Sequence, residues 1–126
     1  MSARKAGLVH IVDDDEAVRN STGLLLRSMD YEAATFASAE AFLASGDGGA
    51  ADCLLLDYHL GGMNGAELLE LLRQRGVRTP AIILTADNRL PHDRLMRAGA
   101  VAVLAKPPVT SELLALIEQC CAHTKP

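Results

Sequence analysis

The stretch Leu8-Val9-His10-Ile11-Val12-Asp13-Asp14-Asp15 decides the fold. Its first five residues form a short apolar run of the kind that reads as a strand. Three carboxylates follow without a break. Beyond them the pattern changes, with Val18, Thr22, Leu25 and Met29 recurring at helical spacing. A strand therefore passes into a helix through an acidic turn. Asp15 is expected to cap that helix, and Glu16 favours the same positive helix end.

The same unit recurs along the chain. Residues 31–36 make a weaker second strand, and Ser38 is placed to cap a short helix carrying Ala41, Phe42 and Leu43. Residues 46–50 (Gly-Asp-Gly-Gly-Ala) read as a flexible loop. Cys53–Leu56 is the third strand, followed by a helix whose buried face is Gly65, Leu68, Leu69 and Leu72 and which Gly76 can close. Ala81–Leu84 is the fourth strand, 91–98 a short helix ended by Gly99, and Val101–Ala105 the fifth strand. Leu113, Leu116, Ile117 and Cys120 line a last helix. The strands are mostly continuous apolar runs, as strands buried on both faces are. Five alternating strand-helix units predict an α/β domain with a doubly wound, five-stranded parallel sheet. One domain is expected to span residues 1–126.

The bulk numbers agree and exclude other classes. A chain of 126 residues is long enough for one core, and its 49% hydrophobic and 22% charged residues are those of a globular domain. The net charge of −4 argues against a nucleic-acid surface. No apolar run reaches the ~18 residues of a membrane span, and the run after Met1-Ser-Ala-Arg-Lys is too short for a signal peptide, so a cytoplasmic location is expected. Cys53, Cys120 and Cys121 are an odd count with an adjacent pair, which is no disulfide framework and no zinc spacing. Cys53 and one of the pair are expected in the core.

The chemistry gathers at the carboxyl ends of strands. Strand one ends in Asp13, Asp14 and Asp15, strand three in Asp57, strand four in Thr85 and strand five in Lys106. Each alone has an ordinary structural reading: a cap or turn aspartate, a strand-end threonine, a surface lysine. Together they place acid, acid, hydroxyl and ammonium on one sheet edge. Ligands of open parallel sheets bind at that edge, where the strand order reverses. For a flavodoxin-like order 2-1-3-4-5 the reversal lies between strands one and three, the two that deliver the acids. Close carboxylates stay ionised together when a cation neutralises them, and an all-oxygen ligand set suits Mg²⁺. Asp14 and Asp57 are the expected ligands, with Asp13 tuning the site. A carboxylate also accepts a phosphoryl group as an acyl phosphate, with Lys106 and Thr85 contacting its oxygens.

Val12-Asp13-Asp14, Leu56-Asp57, Leu84-Thr85-Ala86 and Ala105-Lys106-Pro107 resemble the response-regulator receiver family of bacterial two-component signalling, at that family's spacings and over essentially the whole chain. His10-Ile-Val-Asp-Asp and Ser38-Ala-Glu-Ala-Phe-Leu43 look most like receivers of the nitrogen-fixation regulator (FixJ) kind. The resemblance implies that Asp57 is the phosphorylation site and that Asp13 and Asp14 are the acidic pair, Asp14 binding Mg²⁺ directly. It implies further that the His59 backbone carbonyl is a metal ligand, Thr85 the switch hydroxyl, Lys106 the phosphoryl-contacting lysine, and Lys106–Pro107 a cis bond. The donor would be a histidine kinase or histidine phosphotransfer protein, and the output an unknown partner or a domain outside this chain. The family's common output face, helix four to helix five, would carry Leu95, Met96 and Val103. Such a domain phosphorylates and dephosphorylates itself but turns over no external substrate, so it is not expected to be an enzyme.

The chain departs from the family pattern at two places. Gly61 stands where receivers often have proline, which loosens that loop. Val103 stands where they usually have Tyr or Phe, so the usual coupling of Thr85 to a rotating ring is in doubt. His59 and Asp87, two residues after Asp57 and Thr85, are expected to flank the path of attacking water. Tyr58 either covers the site or packs, and His10 is expected to pack in the sheet. Two other classes compete. A small Mg²⁺-dependent aspartyl phosphatase would commonly carry an acid/base Asp where His59 stands. A nucleotide or flavin binder would need a glycine-rich phosphate loop, and none follows strand one.

Overall fold

The computed structural model describes residues 6–46, 50–86, 89 and 92–124. The elements alternate throughout: β1 (Gly7–Val12), α1 (Glu16–Ser28), β2 (Tyr31–Phe36), α2 (Ala39–Ala44), β3 (Cys53–Asp57), α3 (Gly65–Gln74), β4 (Ala81–Thr85), α4 (His92–Arg97), β5 (Ala100–Ala105) and α5 (Thr110–Thr124). All neighbouring strands pair in parallel, in the order β2-β1-β3-β4-β5. The order reverses between β1 and β3, as the acid-bearing strand ends predict.

Strand alternation sends side chains to two cores. On one face Leu54, Leu56 and Ile83 pack with Phe42, Leu68, Leu69, Leu72 and Leu95 of α2, α3 and α4. On the other, Cys53, Leu55, Ile82 and Leu84 pack with Leu26 of α1 and with Leu113, Ile117, Cys120 and Cys121 of α5. Helices on both faces explain why β3 and β4 are buried along their whole length.

Local signals account for the helix ends. Asp15 caps α1 by accepting hydrogen bonds from the backbone N–H groups of Ala17 and Val18, and Ser38 caps α2 through that of Ala41. Gly76 takes a left-handed conformation (φ 84°) as α3 ends, and the backbone N–H of Val77 reaches back to the Leu72 carbonyl.

Several boundaries and faces differ from the sequence reading. β1 and β5 each begin one residue earlier, at Gly7 and Ala100. The buried residues of α1 are Gly23 and Leu26, while Met29 is 50% exposed. Glycine is the buried member of this stripe, so apolar periodicity passed over it and counted the helix-end methionine instead. All three cysteines are buried, not two, because Cys120 and Cys121 both fit under the sheet face that α5 covers. Residues 47–49 of the glycine-rich loop lie outside the described residues. Among the described residues, no helix is long and apolar enough to cross a membrane.

His10 packs in the sheet as expected, with its ring centroid 5.3 Å from that of Phe36 and 5.9 Å from that of Phe42. Its Nδ1 is buried and has no hydrogen-bond partner. Burial holds its pKa below the ordinary 6.5. In the window between that lowered value and 6.5 the unfolded chain binds more protons. His10 therefore contributes a loss of stability as pH falls through 6.5 toward the folded-state value. Urea unfolding at pH 7.5 and 5.5 is expected to show a smaller acid-induced loss in His10→Leu than in the wild type. Equal losses in the two proteins would contradict this.

Candidate functional site

The site begins where β1 stops. The backbone N–H of Asp13 still bonds to the Phe36 carbonyl at 3.1 Å, which carries the β1–β2 ladder one residue past the strand. The Asp13 side chain is thereby fixed and buried, at 2% exposure. Its Oδ1 accepts from the Asp15 backbone N–H at 2.9 Å, and its Oδ2 accepts from Lys106 Nζ at 2.9 Å. Arg19 of α1 donates to the Asp13 carbonyl at 2.8 Å. Both Asp13 oxygens are thus engaged, whereas Asp14 is exposed.

Asp57 closes β3 and is 6% exposed. Two backbone bonds set the loop after it: Tyr58 N–H to the Leu84 carbonyl at 2.9 Å and Gly65 N–H to the Tyr58 carbonyl at 2.7 Å. The second brings the start of α3 against the strand end. A Cβ on Gly65 would lie 3.0 Å from Tyr58 Cα and 3.1 Å from the Asp57 carbonyl oxygen, both backbone atoms, so this approach requires glycine. Asn64 and Glu67 lock the same turn with a capping box. Neither feature was drawn from the hydrophobic pattern, although the spacing Asn64-Gly-Ala-Glu67 spells the box.

Lys106 follows β5, and its backbone N–H bonds to the Thr85 carbonyl at 2.8 Å, joining two strand ends. The Lys106–Pro107 peptide is cis. From there Nζ lies 2.9 Å from Asp13 and 3.3 Å from Asp57. Burial alone would lower the Lys106 pKa, but the Asp13 hydrogen bond and the charges of Asp57 and Asp13 outweigh it, and the net shift is upward. Asp57 is pushed above the ordinary carboxylate range, first by burial and then by the charge of Asp13. Lys106 and a hydrogen bond from the His59 backbone N–H oppose that rise without cancelling it.

Asp13, Asp14 and Asp57 offer carboxylate oxygens that all lie within 4.8 Å of one another. Two unit charges at that separation repel by roughly 3 kcal/mol at an effective dielectric constant near 20. One ammonium cannot offset three such carboxylates, so the site carries excess negative charge. Oxygen donors without sulfur or imidazole fit a hard divalent cation. Asp14 and His59 share the wall of a cavity of about 350 Å³ with Leu60, Gly61 and Asn64, which leaves space beside the carboxylates.

The structure thus gathers Asp13, Asp14, Asp57 and Lys106 in direct proximity. Thr85 is buried at the neighbouring strand end. His59 is exposed, with its ring edge-on to Tyr58 at 5.0 Å. Tyr58 is buried in the core with Leu56 and Leu60, so it packs. Gly61 takes a left-handed φ of 86°, a conformation that proline's ring forbids. Val103 is half-buried against the α2–α4 core. Of the expected output face, Leu95 is core and Met96 is 49% exposed. Asp87 lies outside the described residues.

A family model described as the response regulator receiver domain matches residues 9–118. The chain belongs to that family. FixJ, a transcriptional regulatory protein of Bradyrhizobium diazoefficiens, is 32% identical over 95% of this chain and 59% of its own length. FixJ of Rhizobium meliloti is 34% identical over 91% of this chain and 57% of its own length. The full-length FixJ structure from B. japonicum superposes with a TM-score of 0.88 at 31% identity, covering 98% of this chain and 61% of that one. The structure of FixJ-N gives 0.82 at 32% identity and covers 99% of both chains. This receiver spans between half and three-fifths of the curated relatives it matches.

Two outcomes follow from the geometry of the receiver site. In Mg²⁺-free buffer at neutral pH, Asp57→Asn removes a buried charge that burial and Asp13 disfavour. Thermal unfolding should shift up by about 3–6 °C, the size of roughly 1 kcal/mol in a domain this long; a lower midpoint would contradict the charge balance described. Gly65→Ala presses a methyl group into backbone and should cost about 1–3 kcal/mol in urea unfolding.

Proposed function

We propose that this receiver accepts a phosphoryl group on Asp57 from a phosphohistidine of a histidine kinase or phosphotransfer protein. The supporting observation is the convergence of Asp13, Asp14, Asp57 and Lys106 at the carboxyl edge of the sheet. In the reaction an Asp57 oxygen attacks phosphorus, the phosphorus–nitrogen bond of the donor breaks, and the donor imidazole is released. The product on Asp57 is an acyl phosphate. Charge neutralisation governs phosphoryl transfer more than covalent assistance does. Lys106, pinned by Asp13 and already 3.3 Å from Asp57, holds a positive charge where phosphoryl oxygens arrive. The Thr85 hydroxyl is the further donor proposed for those oxygens.

The donor set fits Mg²⁺, which Asp14, Asp57 and the His59 backbone carbonyl would hold, with Asp13 acting indirectly through Lys106. Bound there, it supplies the charge neutralisation that one lysine cannot. The domain catalyses its own phosphorylation and dephosphorylation and is not an enzyme with an external substrate. It acts in the cytoplasm as a single receiver unit over residues 1–126, switching an output partner or an output domain outside this chain. With Val103 in place of a swinging ring, Thr85 is coupled to output by another rearrangement.

Intact mass after incubation with acetyl phosphate and Mg²⁺ tests this reading. A gain of about 80 Da, one phosphoryl group, is expected in the wild type and not in Asp57→Asn, nor without Mg²⁺. An adduct that survives in Asp57→Asn would overturn the assignment of the acceptor. His59 and Asp87 are proposed to set the lifetime of the adduct by flanking the path of attacking water. Replacing both with alanine should change the dephosphorylation rate several-fold, and an unchanged rate would refute that role.

A further inference from the structure

A cavity of about 460 Å³ opens at the amino ends of β4 and β5, opposite the sheet edge that carries the acidic site. Arg73 and Arg78 line it together with Pro80, Val101, Cys120 and Ala122. Among the described lining residues there is no carboxylate. Two local features shape the apolar side. Ala81 pairs with Ala100 but Ile82 pairs with Ala102, so Val101 is an extra residue in β5, a bulge of the kind that re-aims a side chain. Val101 is left 38% exposed in the cavity wall. Pro80 has no N–H, and its carbonyl accepts from the Leu54 N–H at 2.9 Å, so the cavity meets no backbone donor there.

The polar side is already in place. Arg73 Nε donates to the Ala98 carbonyl at 3.0 Å, Nη1 to those of Val77 and Thr79 at 2.9 Å each, and Nη2 to that of Gly99 at 3.2 Å. Gly99, at φ 95°, lets the guanidinium lie against its backbone, since a Cβ there would come within 3.1 Å of Nε and 3.2 Å of Nη2. A guanidinium has five N–H groups, so one, on Nη2, is left beyond these four bonds. Arg78 is exposed, and its charge adds to burial in lowering the Arg73 pKa, although Arg73 stays protonated. Among the described residues no carboxylate forms an ion pair with either arginine.

We propose that this cavity binds a small organic carboxylate, with its anionic head between Arg73 and Arg78 and its apolar body against Pro80, Val101, Cys120 and Ala122. The volume is that of an ordinary small-molecule pocket, apolar with a few convergent polar groups. The remaining Arg73 N–H and the fork of Arg78 match a planar head with two oxygens. An inorganic anion would leave the apolar walls unfilled, and a neutral apolar molecule would leave two guanidiniums without a counter-charge. Because four carbonyls hold Arg73 before any ligand arrives, little freedom is lost on binding.

Cyclohexanecarboxylate is the probe, titrated into the folded 126-residue chain in Mg²⁺-free buffer at low salt and followed by backbone amide NMR shifts. Saturable shifts are expected at Gly99, Val101 and Ala122 and not at Asp13, Asp14 or Asp57. Cyclohexanecarboxamide keeps the ring and lacks the charge; acetate keeps the charge and lacks the ring. Each should bind about tenfold more weakly or worse, the size of one charge-assisted hydrogen bond or one buried apolar group. Arg73→Gln would disturb the four carbonyls, so the variant is Arg78→Gln at an exposed position, which should fold and bind the probe about tenfold more weakly. The proposal is overturned by an absence of saturation at millimolar probe, by shifts centred on the acidic site, by equal binding of the amide or of acetate, or by unchanged affinity in folded Arg78→Gln.

Discussion

Lys106 is bonded to two buried carboxylates at once, and the functional edge of this receiver depends on that contact. Its ammonium reaches Asp13 at 2.9 Å and Asp57 at 3.3 Å, drawing together the ends of β1, β3 and β5. The three strands are not neighbours in sequence, and only the parallel order β2-β1-β3-β4-β5 brings their carboxyl ends to one place. A buried pair of this kind is weak evidence for stability, because desolvation offsets much of the attraction. Its worth lies in placing charge. Asp57 remains above the ordinary carboxylate range despite Lys106, so its charge is left incompletely balanced by its surroundings.

That imbalance goes with a division of labour among the aspartates. Asp13 spends one oxygen on the Asp15 backbone and the other on Lys106. Asp15 caps α1. Asp14 is exposed beside the cavity that His59 also lines. Three successive residues of one type thus do three different things, and the local backbone, not the side-chain chemistry, assigns them. The glycine at position 65 belongs to the same design, since it lets α3 start against the backbone of Asp57 and Tyr58.

Much of this was legible in the sequence for a physical reason. Strands buried on both faces leave long apolar runs, and polar residues at their ends stand out against them. Asp13, Asp14, Asp57, Thr85 and Lys106 are visible in that way. The features that stayed hidden depend on absence or on long-range approach. Gly23 on the buried face of α1 carries no hydrophobic signal. The closeness of Gly65 to the β3 end and the bonds of Arg73 to the carbonyls of Ala98 and Gly99 exist only once distant segments meet. Whether Tyr58 covers the site or packs could not be read from its neighbours in sequence, because the answer lies in the core formed with Leu56 and Leu60.

Asp13, Asp14 and Asp57 are proposed to act as one cation site whose charge Lys106 leaves unbalanced. Titrating Mg²⁺ into the wild type and Asp14→Asn, by calorimetry and by the unfolding midpoint, tests it most directly. One ion bound and a raised midpoint are expected in the wild type, with both effects lost in Asp14→Asn while its metal-free midpoint stays close to that of the wild type. An equal Mg²⁺ response in the two proteins, or none in the wild type, would contradict it.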